Sequence, residues 1–241
     1  MNKVLLLSLI IAFHMPIIGA QNFWKNAIKG EGPVVKKEIS LPEFEGIRNG
    51  FSCDVIITQG SSQKIVLEGQ ENILDNLELD VAGNILKIKY DRMVKKAEPV
   101  KIYITMTNLV EAVLSGSGSL STTNHFSGNK DLHIAVSGSG DVSLDIDAID
   151  IDMKISGSGD IYLKGSGDDL DMTISGSGGI DSRDLSANNC KVSISGSGNA
   201  TVNVRQDLDA RVSGSGNVRY RGDVARINSR VSGSGSIHSL N

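Results

Sequence analysis

The chain has few of the residues from which metal centres and disulfide frameworks are built. It contains two cysteines, Cys53 and Cys190, and four histidines, one of which lies within the first 20 residues. So few thiol and imidazole groups do not make a zinc constellation. The sequence therefore predicts no cofactor.

Long apolar runs and a strong charge of either sign are also missing. The apolar run from Val4 to Phe13 is shorter than the roughly 20 residues of a membrane-spanning helix. A lysine before it and small residues after it are typical of a secretory signal peptide over residues 1–20. We expect a mature chain that begins at Gln21, has no membrane span, and lies in the periplasm, on the outer cell surface or in the medium. The net charge of −4 argues against nucleic acid and anionic membranes as partners.

Glycine, in contrast, is abundant and periodic. Seven copies of Ser-Gly-Ser-Gly, called tetrads below, recur at steps of 18 to 22 residues. They begin at Ser115, Ser137, Ser156, Ser175, Ser195, Ser213 and Ser232. A period near 20 predicts one supersecondary unit that is repeated and stacked. A phosphate-binding loop is not indicated, because neither a helix nor a lysine follows the glycines.

The tetrads are predicted to be structural turns. Two glycines in each turn supply backbone angles that a Cβ atom forbids, and they let successive turns approach closely. The serine hydroxyls are expected to hydrogen-bond within their own turn or to the serine of the next coil. The turn glycines are Gly116, Gly118, Gly138, Gly140, Gly157, Gly159, Gly176, Gly178, Gly196, Gly198, Gly214, Gly216, Gly233 and Gly235.

The residues around each tetrad alternate between apolar and polar. The residue just before the tetrad is apolar in every copy, and so is the second residue after it. The two columns are Leu114, Val136, Ile155, Ile174, Ile194, Val212 and Val231, then Leu120, Val142, Ile161, Ile180, Ala200, Val218 and Ile237. Strict alternation predicts half-buried strands on both sides of the turn. The predicted fold class is all-β, in its simplest form a β-solenoid with one tetrad in each coil. Two tetrads per repeat stay the alternative.

The residue pattern of 34–108 also predicts β structure, but these residues contain no tetrad. Turn signals separate the predicted strands at irregular spacing, and no helix is predicted. These strands are Val34–Ile39, Gly50–Thr58, Lys64–Glu68, Leu77–Val81, Ile85–Tyr90 and Val100–Thr105. Terminal coils of a solenoid differ from the others because they cover the end of the core. We therefore divide the chain into a signal peptide (1–20), a flexible leader (21–33), an N-terminal capping section (34–108) and the tetrad solenoid (109–241).

Both cysteines are predicted to be buried as small hydrophobic residues. Cys190 belongs to a third apolar column, five positions before the tetrad, and Cys53 alternates with Phe51, Val55 and Ile57. A disulfide between the two is allowed in an exported protein. The sequence leaves that alternative open.

An outward polar column lies four positions before each tetrad. It consists of Glu111, His133, Asp152, Asp171, Lys191, Asp209 and Asn228. Because coils in a parallel stack lie about 4.8 Å apart, Asp152 and Asp171 are predicted to sit side by side, close to Lys154 and Tyr162. We predict these four residues as a binding site. The alternative is a carbohydrate-cleaving enzyme, since two carboxylates about 5 Å apart form the catalytic pair of retaining glycosidases.

A second acidic cluster predicts a calcium site. Asp145, Asp147, Asp150 and Asp152 fall within eight residues, and calcium takes clustered carboxylate oxygens. A tetrad followed by aspartate also has a superficial likeness to calcium-binding nonapeptides, although its period is about 19 residues rather than nine.

Several stretches resemble one bacterial family. They are FEGIRNGFSCDVIITQG (44–60), ILKIKY (85–90), the tetrads with Asp or Asn often following, and DARVSGSGNVRYRGDV (209–224). Together they are similar to the auto-transporter adhesins with a head GIN domain, first known as a domain of unknown function, from Val34 to Ser239. The resemblance implies a right-handed parallel β-helix, no catalytic residues, a role in adhesion and a source of the Bacteroidota type.

We therefore expect an exported, non-enzymatic β-solenoid that acts as an adhesion or binding module for a glycan or a surface protein. The alternatives are the carbohydrate-cleaving enzyme and a purely structural scaffold of the cell envelope. The last coil, which contains Ile237, is expected to expose strand edges and part of the apolar core. Either the front section covers this end or a weak homodimer forms through it, and we predict the dimer.

Overall fold

Strands make up most of residues 26–240, which are the residues that the computed structural model describes. The predicted signal peptide and the first part of the leader lie outside them. Before the first tetrad the strands are β1 (Ile28–Lys29), β2 (Val34–Ile39), β3 (Gly46–Asn49), β4 (Asp54–Gln59), β5 (Lys64–Gln70), β6 (Leu77–Ala82), β7 (Ile85–Tyr90), β8 (Val94–Lys96), β9 (Lys101–Met106) and β10 (Glu111–Leu114). The later strands are β11 (Ser119–Thr122), β12 (Phe126–Val136), β13 (Asp141–Gly157), β14 (Asp160–Gly176), β15 (Gly179–Gly196), β16 (Asn199–Gly214), β17 (Asn217–Arg221), β18 (Arg226–Gly233) and β19 (Ser236–Ser239).

The tetrads stack in register, one in each coil. Ser156 on β13 pairs with Ser175 on β14, and Ser175 pairs with Ser195 on β15, all in parallel. Consecutive tetrads therefore lie on neighbouring coils, which rules out a repeat of two tetrads. The predicted all-β solenoid is confirmed.

Each coil has two arms whose inward residues fill the core. In β13 the first arm buries Val142 to Ala148 at every second position, and the second arm buries Ile151, Met153 and Ile155. Between the arms, Ile149 and Asp150 are both exposed, which shifts the alternation by one residue and forms the second corner. The predicted inward columns are buried in every coil but the last.

The turn glycines are required because each turn lies directly on the backbone of the turn before it. A Cβ atom on Gly176 would lie 2.3 Å from the carbonyl oxygen of Gly157, and φ of Gly176 is +141°. A Cβ atom on Gly178 would lie 2.1 Å from the carbonyl oxygen of Gly159. In the same turn the N–H of Ser177 donates to the Gly157 oxygen at 2.9 Å. No side chain fits between the coils at these places.

One further turn of this kind contains no tetrad. Strands β3 and β4 pair in parallel with β10 and β11, so residues 50–53 occupy the place of a tetrad beneath the first one. A Cβ atom on Gly118 would lie 1.9 Å from the Cys53 carbonyl oxygen. The predicted strand Gly50–Thr58 is therefore wrong over its first part. Residues 50–53 form the turn, and the strand begins at Asp54.

The first coils are stacked out of sequence order. Strands β7 and β9 pair with the outer sides of β3 and β4, so residues 85–106 precede residues 46–59 in the stack. Beyond them, β6 and β5 add in the antiparallel direction, and β2 pairs with β5. One end of the stack is thus covered by antiparallel strands of the same chain.

The described part of the predicted flexible leader is hydrogen-bonded to the domain. Strand β1 pairs with β8, and the N–H of Glu31 donates to Asn72 Oδ1 at 3.0 Å. These contacts correct the expectation of flexibility for residues 26–33. Asn72 lies on a short helix, α1 (Glu71–Leu74), which was not predicted. None of the helices within residues 26–240 is long and apolar enough to cross a bilayer.

The two cysteines are separate buried thiols. Cys53 and Cys190 are both free, with 4% and 3% of their surface exposed. Burial raises the pKa of the Cys53 thiol to about 12 and also raises that of Cys190. The predicted buried thiols are confirmed, and the alternative of a disulfide is wrong for this fold.

Candidate functional site

The outward column four positions before the tetrad lies in register, as predicted. Asp152 pairs with Asp171 on the next coil. Asp152 Oδ2 accepts a hydrogen bond from Lys154 Nζ at 2.6 Å and lies 3.2 Å from His133 Nδ1. Asp171 Oδ2 accepts one from Lys191 Nζ at 2.7 Å. The carboxylates of this column are thus engaged by cations on the same or the adjacent coil.

A second polar column lies two positions further from the tetrad. In register it consists of Asp131, Asp150, Asp169, Asn189, Asp207 and Arg226. Asp207 is paired with Arg226, and Asp169 accepts from Asn189 Nδ2 at 2.8 Å. The carboxylates of Asp131 and Asp150 have no hydrogen-bond or ion-pair partner within residues 26–240. This column was not predicted from the sequence. It lies at the next outward position of the strand, six residues before the tetrad, and the same alignment shows it.

The two columns line one groove of about 610 Å³, called the acidic groove below. Seven aspartates line it. Four of them are paired with a lysine or an arginine, whereas Asp131, Asp150 and Asp169 have no basic partner among residues 26–240. The aspartates are Asp131, Asp150, Asp152, Asp169, Asp171, Asp207 and Asp209. Like charges that face each other on neighbouring strands cost stability. The surplus of carboxylates is therefore not explained by the needs of the fold.

Tyr162 lies apart from the three residues with which it was predicted. It belongs to the arm after the tetrad, between Ser143 and Asp181 on neighbouring coils. Its hydroxyl donates to Asp160 Oδ2 at 3.3 Å, and the negative charge of Asp160 is the main cause that raises the pKa of Tyr162. The structure thus brings Asp152, Lys154 and Asp171 together and separates Tyr162 from them.

The four aspartates of the predicted calcium site are divided between two faces. Asp150 and Asp152 line the acidic groove, whereas Asp145 and Asp147 hold the ring of His125, at 2.7 Å from Nδ1 and 2.9 Å from Nε2. No group of three or more His, Cys, Asp or Glu in the described part of the chain is placed to hold a metal ion. The geometry gives the calcium site no support.

Hydrogen bonds from the His125 ring to the two carboxylates, chiefly to Asp145, raise the pKa of His125. Burial raises the pKa of Asp145, but hydrogen bonds from His125 and Lys164 outweigh it, and the pKa of Asp145 lies below its ordinary value. The pKa of Asp147 is lowered in the same way, because hydrogen bonds from Ser166 and His125 outweigh its burial. This cluster is an ion-paired contact between coils.

The acidic or amide residue after the tetrad has a structural role. Asp160 Oδ1 accepts the N–H of Gly179, one coil further on, at 2.7 Å. Asp141 Oδ1 accepts the N–H of Asp160 at 3.2 Å, and Ser236 Oγ donates to Asn217 Oδ1 at 2.7 Å. These side chains join successive coils beside the turn, which explains why Asp or Asn recurs there.

The first serine of the tetrad does not behave as predicted. Ser175, Ser195 and Ser213 are exposed, and their hydroxyls make no hydrogen bond within residues 26–240. The fold therefore uses the glycines of the tetrad but leaves these hydroxyls free to meet other molecules.

Fold and surface together define a class: a parallel β-solenoid whose outer face presents polar side chains in register over several coils. The model of one family, described as putative auto-transporter adhesin, head GIN domain, matches residues 43–224. The match spans well over half of the chain, and the chain belongs to this family. The resemblance inferred from the sequence is confirmed.

Solved structures of similar fold come from Bacteroides and Parabacteroides species. A putative adhesin from Bacteroides fragilis is 24% identical, with a TM-score of 0.81, over 89% of this chain and 100% of that one. A putative adhesin from Parabacteroides distasonis is 21% identical, with a TM-score of 0.78, over 89% and 100%. A putative lipid binding protein from the same species is 26% identical, with a TM-score of 0.74, over 90% and 100%. The comparison with curated proteins finds no match.

Proposed function

We propose that the protein is an exported, non-catalytic binding module of the adhesion type, which uses the acidic groove to hold a glycan or a surface protein. The family and the fold of its neighbours support a role in adhesion. The proposed role of the acidic groove depends on one observation. The carboxylates of Asp131 and Asp150, on adjacent coils, have no partner among the described residues. Such carboxylates accept hydrogen bonds from sugar hydroxyls or pair with basic side chains of a partner.

The repetition of the groove suits an extended partner. Equivalent side chains recur about every 4.8 Å along the stack, so a chain-like ligand meets the same contacts several times. Weak contacts of this kind add to a strong attachment when they are linked. A rigid solenoid presents them without the entropic cost of ordering a loop.

Binding is favoured over the enzyme alternative by the contacts of Asp152 and Asp171. Each of the two carboxylates is already engaged by a lysine, at 2.6 and 2.7 Å. Lipid binding, which the description of one Parabacteroides distasonis structure names, is less favoured, because buried side chains occupy the space between the arms of the described coils. Side chains such as Met153 and Met172, both fully buried, fill the inside of the coils.

The test is binding of the chain from Gln21 to Asn241 to a glycan array and to immobilised envelope proteins. A double substitution, Asp131→Asn with Asp150→Asn, should lose most of the binding while keeping the fold, because it removes like charges. The matched control, Glu43→Gln with Asp80→Asn, changes the same charge on exposed residues of the front section. Equal loss in both variants, or none in either, would contradict the role of the groove. Release of new reducing ends from a bound glycan would establish the enzyme instead.

Export is part of the same proposal. Purified from its exporting host, the protein should have the mass of a chain that begins at Gln21. An intact mass that retains residues 1–20 would contradict it.

A further inference from the structure

A second groove runs along the same face, on the side nearer the tetrads. Its volume is about 600 Å³. We call it the hydroxyl groove, because its polar lining consists of Thr173, Ser175, Ser193, Ser195, Ser213 and Ser232 with Arg211 and Arg230. No carboxylate lines it. Its chemistry is thus opposite to that of the acidic groove.

The two arginines lie on adjacent coils, and a carboxylate pairs with one of them. Arg211 pairs in register with Arg230, so the two strands are about 4.8 Å apart at this point. Arg211 Nη2 donates to Asp209 Oδ2 at 2.8 Å. Arg230 is exposed and forms no ion pair with any residue from 26 to 240. Two neighbouring guanidinium groups with a single counter-charge attract a further anion.

Of the acids of the neighbouring groove, Asp209 neutralises Arg211, and Asp207 is paired with Arg226. The charge of Arg230 remains. Asp169, whose partner is the neutral amide of Asn189, lies two coils from Arg211, roughly 10 Å along the stack, and Asp131 and Asp150 lie three or more coils away, roughly 14 Å or further. At physiological salt the screening length is about 8 Å. The positive end of the hydroxyl groove is therefore electrostatically separate from the negative end of the acidic groove.

The free hydroxyls extend the site along the stack. Thr173, Ser193, Arg211 and Arg230 follow one another in register, and Ser175, Ser195, Ser213 and Ser232 run beside them. Three steps between coils span roughly 14 Å. Each hydroxyl can both donate and accept a hydrogen bond. A linear, hydroxyl-rich chain lying along the groove can therefore be bonded at every coil.

We propose that the hydroxyl groove binds a linear acidic glycan, with Arg211 and Arg230 holding a carboxylate or sulfate group and the serines bonding the sugar hydroxyls. This rests on the proposed adhesion function and names a ligand class and a site for it. Arg230 is the residue that decides specificity for the anion. Its guanidinium has no ion-pair partner among residues 26–240, so no existing bond has to break before the anion binds.

The experiment measures affinity by calorimetry for oligogalacturonate, for dextran sulfate and for uncharged dextran. The carboxylate and the sulfate arms distinguish which anion is preferred, and uncharged dextran should bind at least about tenfold more weakly than the better of them. Arg230→Gln should lower that affinity by about tenfold or more, the loss of a charge-assisted hydrogen bond. Arg230→Lys should recover part of it. The control, Arg219→Gln, removes the same charge from an exposed position on the other arm and should bind like wild type.

Three outcomes would overturn the proposal. They are equal affinity of Arg230→Gln and wild type, affinity for uncharged dextran equal to that for the better acidic glycan, and preference for vesicles containing phosphatidylglycerol over all three glycans. Thermal unfolding verifies that Arg230→Gln is folded. If the protein binds another partner through Asp131 and Asp150 but no acidic glycan, only this inference fails. If Arg230 matters and those aspartates do not, this inference stands and the role of the acidic groove fails.

Discussion

Glycine and serine, which alternate in the tetrad, have different tasks. The glycines allow each turn to rest on the backbone of the turn before it, at distances that exclude a Cβ atom. The first serine of each tetrad makes no such contact, and its hydroxyl is available at the surface. The asparagine or aspartate that follows the tetrad bonds the next coil instead. A motif that looks uniform in sequence therefore combines a packing role with an exposed chemical one.

Two glycine-to-alanine substitutions measure how strongly the turn requires glycine. Gly176→Ala should lower the free energy of unfolding by at least about 2 kcal/mol, because it adds a clash with the Gly157 oxygen to an unfavourable φ. Gly83→Ala also has a positive φ, +59°, but meets no atom within 4 Å. It should cost only about 1 kcal/mol. Urea titrations compare the two, and equal losses would mean that φ alone explains the tetrad.

Within each strand, inward and outward neighbours differ in what they contribute. Met172 is fully buried between Met153 and Val192, whereas Thr173, the next residue, faces the hydroxyl groove. The inward residues make the core, and the outward ones carry the chemistry. Substitutions on the outer face should therefore change binding without changing the fold.

That difference predicts unequal stability losses. Met172→Ala should cost roughly 2–5 kcal/mol, as large-to-small changes in a packed core do. Thr173→Ala should stay within about 0.5 kcal/mol of wild type. Similar shifts of the two midpoints in a denaturant titration would show that the faces are assigned wrongly.

The contact of His125 with β13 should make stability depend on pH. Since the pKa of His125 is raised in the folded state, its contribution is complete below the unfolded value near 6.5 and is lost as the pH rises through the folded value. The histidine side chain is 45% exposed, so the effect is below about 1 kcal/mol.

The measurement compares wild type with His125→Ala by thermal unfolding. The destabilisation should be larger at about pH 5 than at about pH 9. His238→Ala serves as the control, because the ring of His238 has no carboxylate partner in the described chain. A constant difference for His125→Ala at both pH values would mean that packing alone accounts for it.

At the scale of the whole molecule, the two ends of the stack differ. Antiparallel strands cover the end formed by β7 and β9, whereas β18 and β19 pair on one side with β16 and β17 and have no described strand on the other. Ile227 and Val231, which continue the inward columns, are 45% and 40% exposed there. The front section lies at the other end and does not cover them.

Because no described strand covers this end, a weak homodimer through the last coil stays a prediction. Burial of apolar side chains and pairing of free strand edges favour contact between two copies. Ile237→Lys should abolish the dimer, because it places a charge within the contact. Analytical ultracentrifugation at high micromolar concentration measures whether the chain is a monomer or a dimer. Arg219→Gln is a surface control that should dimerise like wild type. A wild-type chain that stays monomeric there would end this idea.

Prediction from sequence succeeded for residues that were aligned on the tetrad. The columns of Asp152 and Asp171, and those of Met153 and Met172, lie in register, and the polar column stays in register where the step between coils is 18 or 22 residues. Prediction failed for the position of Tyr162 around the core and for segments that lack a tetrad. Tyr162 lies on the arm after the tetrad, and neither the period nor the alternation shows how the arms are placed around the core.

The sequence by itself determined the fold class and the identity of the inward residues, because both depend only on local alternation and on contact with the next coil. The register between coils decided that each coil holds one tetrad. Tertiary structure alone decided that residues 50–53 form a turn, that residues 85–106 precede 46–59 in the stack, and that His125 meets Asp145 and Asp147. These contacts join segments that do not belong to the tetrad repeat, so the period of the repeat does not predict them. They depend on how the whole core and its covered end pack together.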